Sequence, residues 1–261
     1  PMGPPAWSTR EGRLDRMARW RLNWAPGSRF EYHPTSAHWV LAELIERLAG
    51  DEYRTVIRAR VLDPHGLARL RVGVPEEDQG DIAEILLVGE PPTPEEMEAA
   101  LGVRDLPPTE VTDTALAGFN NPATRALGVP GGGGVSDAAD VVRFYQALLH
   151  NPAGVWKAEL LADVTSRVRT MFPDPLGGFP VRRTLGLCTA GDDGFSAHRG
   201  FGRTVSAGAF GHNGAGGQVA WVDPATGLSF CYLTNGIDAN SLRQGRRGTA
   251  LSSIAARCAA A

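Results

Sequence analysis

Apolar positions recur at three- and four-residue steps through the first part of the chain and give way to strand-like runs from Gly178 onward. Leu14, Met17, Ala18 and Leu22 lie on one side of a basic amphipathic helix expected from Ser8 to Trp24, which Pro26-Gly27 breaks. Phe30-Glu31-Tyr32 reads as a brief extended piece, and Pro34 biases His33 away from helix. Thr35 or Ser36 can cap the next helix, whose Val40, Leu41, Leu44, Ile45 and Leu48 repeat at helical spacing until Gly50 ends it. Asp51 starts another, carrying Val56, Ile57 and Val61 and stopped by Asp63-Pro64-His65-Gly66.

Residues 71 to 130 are irregular and rich in proline, with short helical pieces such as Glu95 to Leu101, and read as a covering region. Four glycines, Gly131 to Gly134, precede Ser136, a suitable N-cap for a helix from Asp137 to His150 that buries Val141, Val142, Phe144, Tyr145, Leu148 and Leu149. A further helix is expected from Lys157 to Val168. Strands are expected at Thr184 to Thr189, Gly208 to Gly211, Gly217 to Val222 and Leu228 to Thr234, then a helix from Ser241 to Cys258 with an exposed Arg243/Arg246/Arg247 face. Helices first and an antiparallel meander with a terminal helix last predict an α+β chain. A single domain over 1–261 is expected, with a helical and covering lobe at about 30–175 and a sheet lobe at about 178–261.

Composition narrows this only a little. A length of 261 residues, 43% hydrophobic and 21% charged residues describe an ordinary globular protein with a substantial core. A net charge of -3 gives no push towards nucleic acid, and no apolar run is long enough to span a bilayer. Lys157 is the only lysine, which removes nearly every candidate for lysine-based catalysis. Cys188, Cys231 and Cys258 are widely spaced, without a C-x-x-C pair or metal-ligand spacing, and read as reduced thiols. The start, Pro1-Met2-Gly3-Pro4-Pro5, is neither signal peptide nor basic targeting arm, and looks like the middle of a loop. The compartment is not fixed by the sequence; the chain as given is read as cytoplasmic.

The stretch with the most chemistry is Ala209-Phe210-Gly211-His212-Asn213-Gly214-Ala215-Gly216-Gly217. One polar side chain, His212, stands at a strand edge before nearly bare backbone, which a ligand can approach closely. A histidine beside exposed amides suits acyl transfer, where a carbonyl is polarised and an oxyanion held. The competing reading is a glycine-rich hairpin whose histidine caps a strand.

Pro26-Gly27-Ser28-Arg29-Phe30-Glu31-Tyr32 before its helix, together with Phe210-Gly211-His212-Asn213-Gly214 before paired strands, resembles the serine β-lactamase and penicillin-binding-protein-like hydrolases, especially the class C-like esterases and D-aminopeptidases. In that family Pro-Gly-x-x-Phe-x-Tyr-Ser-Asn precedes a helix ending in Glu-x-x-x-Gly. Pro26-Gly27, Phe30, Tyr32, Ile45-Glu46 and Gly50 fall in register with it. The later Lys-Thr-Gly, often His-x-Gly in the esterase-like relatives, falls on His212-Asn213-Gly214, and Gly131 to Ser136 match a Gly-Gly-x-x-Ser/Thr helix start. The resemblance covers nearly the whole chain and implies a β-lactamase-like fold: an antiparallel sheet flanked by helices, plus a mainly helical lobe.

It also implies roles. Tyr32 would be the phenol or phenolate assisting proton transfer, and His212 would stand where the family's Lys or His orients that phenol. Ala215 would offer its backbone N–H to an oxyanion, with Asn213, Gly214 and Ser36 contacting substrate. The substrate class implied is a small ester or amide, with no cofactor and no metal. His33 and His38 are five apart without HExxH or a carboxylate cluster, and the glycine run lacks the Gly-Lys-Ser/Thr of a phosphate loop.

Two departures stand out. Pro34 occupies the place of the family's Asn, so that residue's hydrogen bond to substrate must come from elsewhere, such as Ser36 or His33. The chain has no Ser-x-x-Lys: Gly154 lies three residues before Lys157, and only 31 residues precede Tyr32. Pro1 to Trp7 resembles the loop that follows the family's His-Thr-Ser-Gly, so the N-terminal part of the family fold is expected to be missing. A truncated chain is the preferred explanation, ahead of a partner chain supplying the nucleophile or a non-catalytic binding descendant. The uncovered surfaces that would result point to a homodimer or to the missing segment as partner.

Overall fold

The computed structural model describes residues 3, 6–105, 111–175 and 177–259. Except for Gly3 and the final Ala6-Trp7, the expected N-terminal loop lies outside them, as do Pro107 and Pro108 of the covering region.

Helix α1 (Arg10–Ala18) is shorter than its pattern predicts at both ends. Thr9, not Ser8, caps it by accepting from the Gly12 amide, and two bonds of the tighter i→i+3 type, Arg19 to Arg16 and Trp20 to Met17, close its last turn. Leu22 finds no apolar partner and is 81% exposed. Helix α2 (Ser36–Ala49) ends as expected at Gly50, whose φ of 72° is left-handed. Its apolar face does not behave as the spacing suggests. Trp39 and Ala42 are buried against α1, Tyr53 and Val129, whereas Val40, Leu41, Leu44 and Leu48 are exposed. The ion pairs that Glu43 makes with Arg10 and Arg47 fix this rotation, because a carboxylate on the buried side must keep its guanidinium partners. Helix α3 (Tyr53–Ile57) runs on through a π-helical turn to Leu62, and Gly66 ends the segment.

The covering region is more ordered than predicted. Strand β1 (Arg71–Val72) pairs antiparallel with β3 (Gly134–Val135), and β2 (Leu86–Val88) pairs in parallel with β8 (Gly236–Asp238), tying this region to the carboxyl-terminal end. Between them lie α4 (Pro94–Leu101), with a capping box between Thr93 and Glu96, α5 (Asp113–Ala117) and α6 (Pro122–Leu127). The four glycines then pass against the Tyr32 segment. At Gly131, with φ of 85°, an added Cβ would lie 2.5 Å from the Pro34 carbonyl oxygen and from His38 Nδ1, so only glycine fits there.

Helix α7 (Ala138–His150) is capped by Asp137, which accepts from the Asp140 amide at 2.9 Å; Ser136, the expected cap, bonds the Asp137 carbonyl instead. Helix α8 (Ala158–Thr165) follows. The main sheet has the order β4 (Cys188–Thr189), β5 (Phe210–Asn213), β6 (Val219–Asp223), β7 (Leu228–Tyr232), antiparallel throughout. Thr184 to Leu187, expected within the first strand, instead form a turn in which the Thr184 hydroxyl accepts from the Leu187 amide at 3.0 Å. Phe210 and Val222 pack with Tyr145 and Leu148 of α7 on one face. Trp221 and Val219 pack with Phe201 and with Ala256 of α9 (Ser241–Arg257) on the other. Arg243 and Arg247 of α9 do not form a merely solvated face, because both clasp the buried Asp238 carboxylate of β8. Among the described residues no strand pairs the outer edge of β7, and no helix is long and apolar enough to cross a membrane.

Candidate functional site

Alternation along β5 sets the position of His212. Phe210 points into the α7 core, so His212, two residues on, emerges from the same face beyond the edge of that core. Its register partner on β6 is Ala220, small enough to leave the ring room. Gly211, between them, faces Trp221, and an added Cβ there would stand 2.2 Å from the Ala220 carbonyl oxygen.

The structure brings Tyr32 to His212. Their rings stack with centroids 6.0 Å apart and planes 26° from parallel, although 180 residues separate them in sequence. Arg183, which the sequence reading did not single out, completes the cluster. Its Nη1 lies 3.0 Å from His212 Nε2, and its Cζ sits 5.0 Å from the Tyr32 ring centroid and 5.4 Å from that of Phe30. A guanidinium over an aromatic face contributes about 0.5–2 kcal/mol. His212 Nδ1 meets the Asn213 carbonyl oxygen.

These neighbours set the protonation states. Burial pushes the Tyr32 phenol above its ordinary value, with nearby Arg183 acting against that rise and Cys188 adding to it. Tyr32 is therefore a neutral phenol at pH 7. Burial, then the Arg183 charge, hold His212 below the usual histidine value, against the Asn213 carbonyl, so the imidazole is neutral as well. Tyr145, buried beneath β5, is pushed up by burial.

The other expected residues divide. Gly214 donates its amide to the Gln218 carbonyl at 2.7 Å, which closes the hairpin and takes that N–H out of play. Ala215 is exposed at the turn, and among the described residues nothing accepts from its amide. Asn213 is exposed, its side chain packed over Gly200. Ser36 opens α2, and no described hydrogen bond joins its hydroxyl to Tyr32, Arg183 or His212. His33 turns away, with Nδ1 on the Glu31 carbonyl at 3.0 Å and its ring 6.5 Å from that of Trp24. His38 lies near enough for its protonation to be disfavoured by Arg183, after burial. Among the described residues no group of three or more His, Cys, Asp and Glu side chains converges as a metal site would require.

Volume does not mark this cluster. One cavity, about 790 Å³, lies between α3 and the Leu67–Asp81 stretch, and its lining includes Arg54, Arg58 and Arg71 beside Asp63, Asp78 and Asp81. A smaller one of about 330 Å³ borders Phe30 together with Phe172 and Pro173. Tyr32, Arg183 and His212 converge elsewhere, with Tyr32 and His212 perturbed by burial and by the Arg183 charge, which makes them the candidate site.

Comparison with known proteins bears on the family and the fold. A family model described as Beta-lactamase matches residues 2–253. The chain is 24% identical over 222 residues to the esterase/beta-lactamase LipL of Mycobacterium tuberculosis, covering 78% of this chain and 48% of LipL. A penicillin-binding-protein homolog from Caulobacter crescentus superposes with a TM-score of 0.70 at 21% identity, over 97% of this chain and 66% of that one. EstA from Arthrobacter nitroguajacolicus Rue61a gives 0.69 at 22%, over 94% and 65%. The chain thus spans about half the length of that curated relative and just under two thirds of those structures. With the family model running almost from end to end over an antiparallel sheet that presents a histidine to a tyrosine, the chain belongs to the beta-lactamase family.

Proposed function

We propose that this chain carries the proton-handling and oxyanion-binding half of a serine hydrolase that cleaves an ester or amide through an acyl-enzyme, its attacking serine coming from a segment outside these residues. The observation that carries the reading is the Tyr32–His212 stack, followed three residues after His212 by an exposed Ala215 whose amide meets no acceptor among the described residues. Tyr32, a neutral phenol next to a cation, would pass a proton to the departing alcohol or amine. The Ala215 N–H would hold the carbonyl oxygen as it becomes negative. Asn213 and Ser36 remain substrate contacts in this reading, which treats 1–261 as one domain. LipL is described as an esterase/beta-lactamase, which makes an ester the first substrate class to try. The exposed Val40, Leu41, Leu44 and Leu48 on the helix after Tyr32 support a covering segment that would bring the nucleophile.

The test is hydrolysis of p-nitrophenyl acetate by the chain alone and after a Ser-x-x-Lys helix from a full-length relative is supplied at its amino terminus. The expected result is negligible turnover alone and turnover with the added helix, reduced at least about 100-fold by Tyr32→Phe. A folded chimera that binds the ester but never turns it over would overturn the hydrolase reading in favour of a binding module that kept the pocket and lost the serine.

A further inference from the structure

We propose that Arg183 is the positioning residue and the fixed cation of this site: it holds His212 as a neutral imidazole protonated on Nδ1, so that the charge facing Tyr32 is a guanidinium and not the histidine. The significance of this assignment rests on the hydrolase reading; the geometry does not.

Donor and acceptor chemistry fixes the tautomer of His212. A guanidinium has N–H groups only and no lone pair to offer. At 3.0 Å from Arg183 Nη1, His212 Nε2 must therefore accept. Its proton then resides on Nδ1, which faces the Asn213 carbonyl oxygen, an acceptor only. Both nitrogens are thus committed in complementary senses. An imidazolium would lose the lone pair that Arg183 uses and would set two positive charges in contact.

Arg183 is built to stay where it is. Its own N–H and C=O exchange hydrogen bonds with Thr170 at 3.0 and 3.1 Å, and its carbonyl also accepts from the Arg169 amide at 2.7 Å. It forms single bridges to Thr170 on one side and Cys188 on the other. The preceding residue, Arg182, is held at a φ of 45°, a left-handed conformation rare for a side-chain-bearing residue. Arg183 follows directly on that corner, with its guanidinium on His212 and the Tyr32 and Phe30 rings. Among the described residues no carboxylate pairs with Arg183, and its Nε is buried without a partner. In a chain where most arginines near the core are matched to acids, this one is spent on two aromatic rings and a histidine.

Among the described residues, His38 also bears on the charge of His212, and it acts in the same direction as Arg183. Tyr32 faces it from the loop before α2, His38 from α2 itself, Tyr145 from α7, and Cys188 from β4, while β6 presents Ala220. None of these is a carboxylate. The burial and the Arg183 charge that hold His212 below its ordinary value act in the same direction as the geometry.

The deciding measurement is made on the chain as it stands, by ¹⁵N NMR of labelled histidines across a pH series, with His212 assigned by His212→Gln. The expected spectrum at pH 7 has Nδ1 protonated and Nε2 bare, and His212 stays neutral through the range near pH 6.5 where an exposed histidine titrates. In Arg183→Gln the charge is gone, and the His212 protonation constant should rise about tenfold, one pKa unit. Arg183→Lys keeps the charge and should leave His212 neutral at that pH, which separates charge from mere bulk. A wild-type His212 that is protonated on Nε2, or that titrates like an exposed histidine, overturns the assignment, as does an unchanged midpoint in a folded Arg183→Gln. If that variant does not fold, the wild-type tautomer alone decides. Failure of ester hydrolysis leaves this readout untouched, so the two proposals fail separately.

Discussion

At the scale of single residues, the position of His212 depends on the absence of a side chain next to it. Gly211 sits where a Cβ would lie 2.2 Å from the Ala220 carbonyl oxygen and 2.7 Å from Trp221 Cα and Cβ, all of it backbone or core that cannot yield. Gly214, three residues on, would meet Gln218, whose Cβ is the nearest atom at 3.2 Å. Gly211→Ala should therefore cost about 1–3 kcal/mol of stability, with Gly214→Ala costing clearly less. Urea unfolding of the two variants checks this, and equal losses would refute it. Tyr32 and His212 were legible beforehand because each sits inside a spaced pattern of prolines, glycines and aromatics that resembles a known family. Arg183 was not. It reaches the site through a left-handed corner at Arg182, a residue that gives no local signal for such a turn, and through bridges to Thr170 and Cys188 that no spacing rule encodes.

At the scale of elements, α2 separates what periodicity can say from what it cannot. The helix, its start near Thr35 and its stop at Gly50 follow from spacing and capping chemistry. Which flank meets the core does not, because Val40, Leu41, Leu44 and Leu48 form as good an apolar stripe as Trp39, Ala42 and Ile45. The Arg10–Glu43–Arg47 group decides between them. In this chain Trp39→Ala should cost about 3–5 kcal/mol, since the indole is fully buried. Leu44→Gln should change stability by no more than about 0.5 kcal/mol. Denaturant midpoints distinguish the two flanks; a large loss for Leu44→Gln would mean that its side chain is covered in solution. The same lesson applies to β1 and β2, whose partners lie more than 60 and about 150 residues away and leave no local trace in a proline-rich stretch.

At the scale of the whole molecule, the titrating groups divide the pH range into two windows. His38 and His212 are held below the usual histidine value, both chiefly by burial, so the unfolded chain binds protons there before the folded one does. Their contribution is intact above about pH 6.5 and is lost as the pH falls below it. Glu43, Asp193 and Asp238 are held below the carboxylate range, each first by a hydrogen bond from an arginine. Their contribution is intact above about pH 4 and is lost as the pH drops further. Urea midpoints at pH 7.5, 5.5 and 3.5 should fall in two steps. A flat response between the first two would show that the histidines titrate alike in the folded and unfolded chain.

The outer edge of β7 has a consequence of another kind. Among the described residues no strand pairs with it, and a strand edge of that kind offers amides and carbonyls to any extended backbone that arrives. When the segment that fits is present, arrival is intramolecular and fast. When it is not, the most abundant stranger in a purified stock is an identical molecule, and Leu-Ser-Phe-Cys-Tyr is a sequence that another copy can pair with in register. Light scattering across a dilution series reads this directly: a mass that rises with concentration would mark pairing between copies, and a constant mass would rule it out.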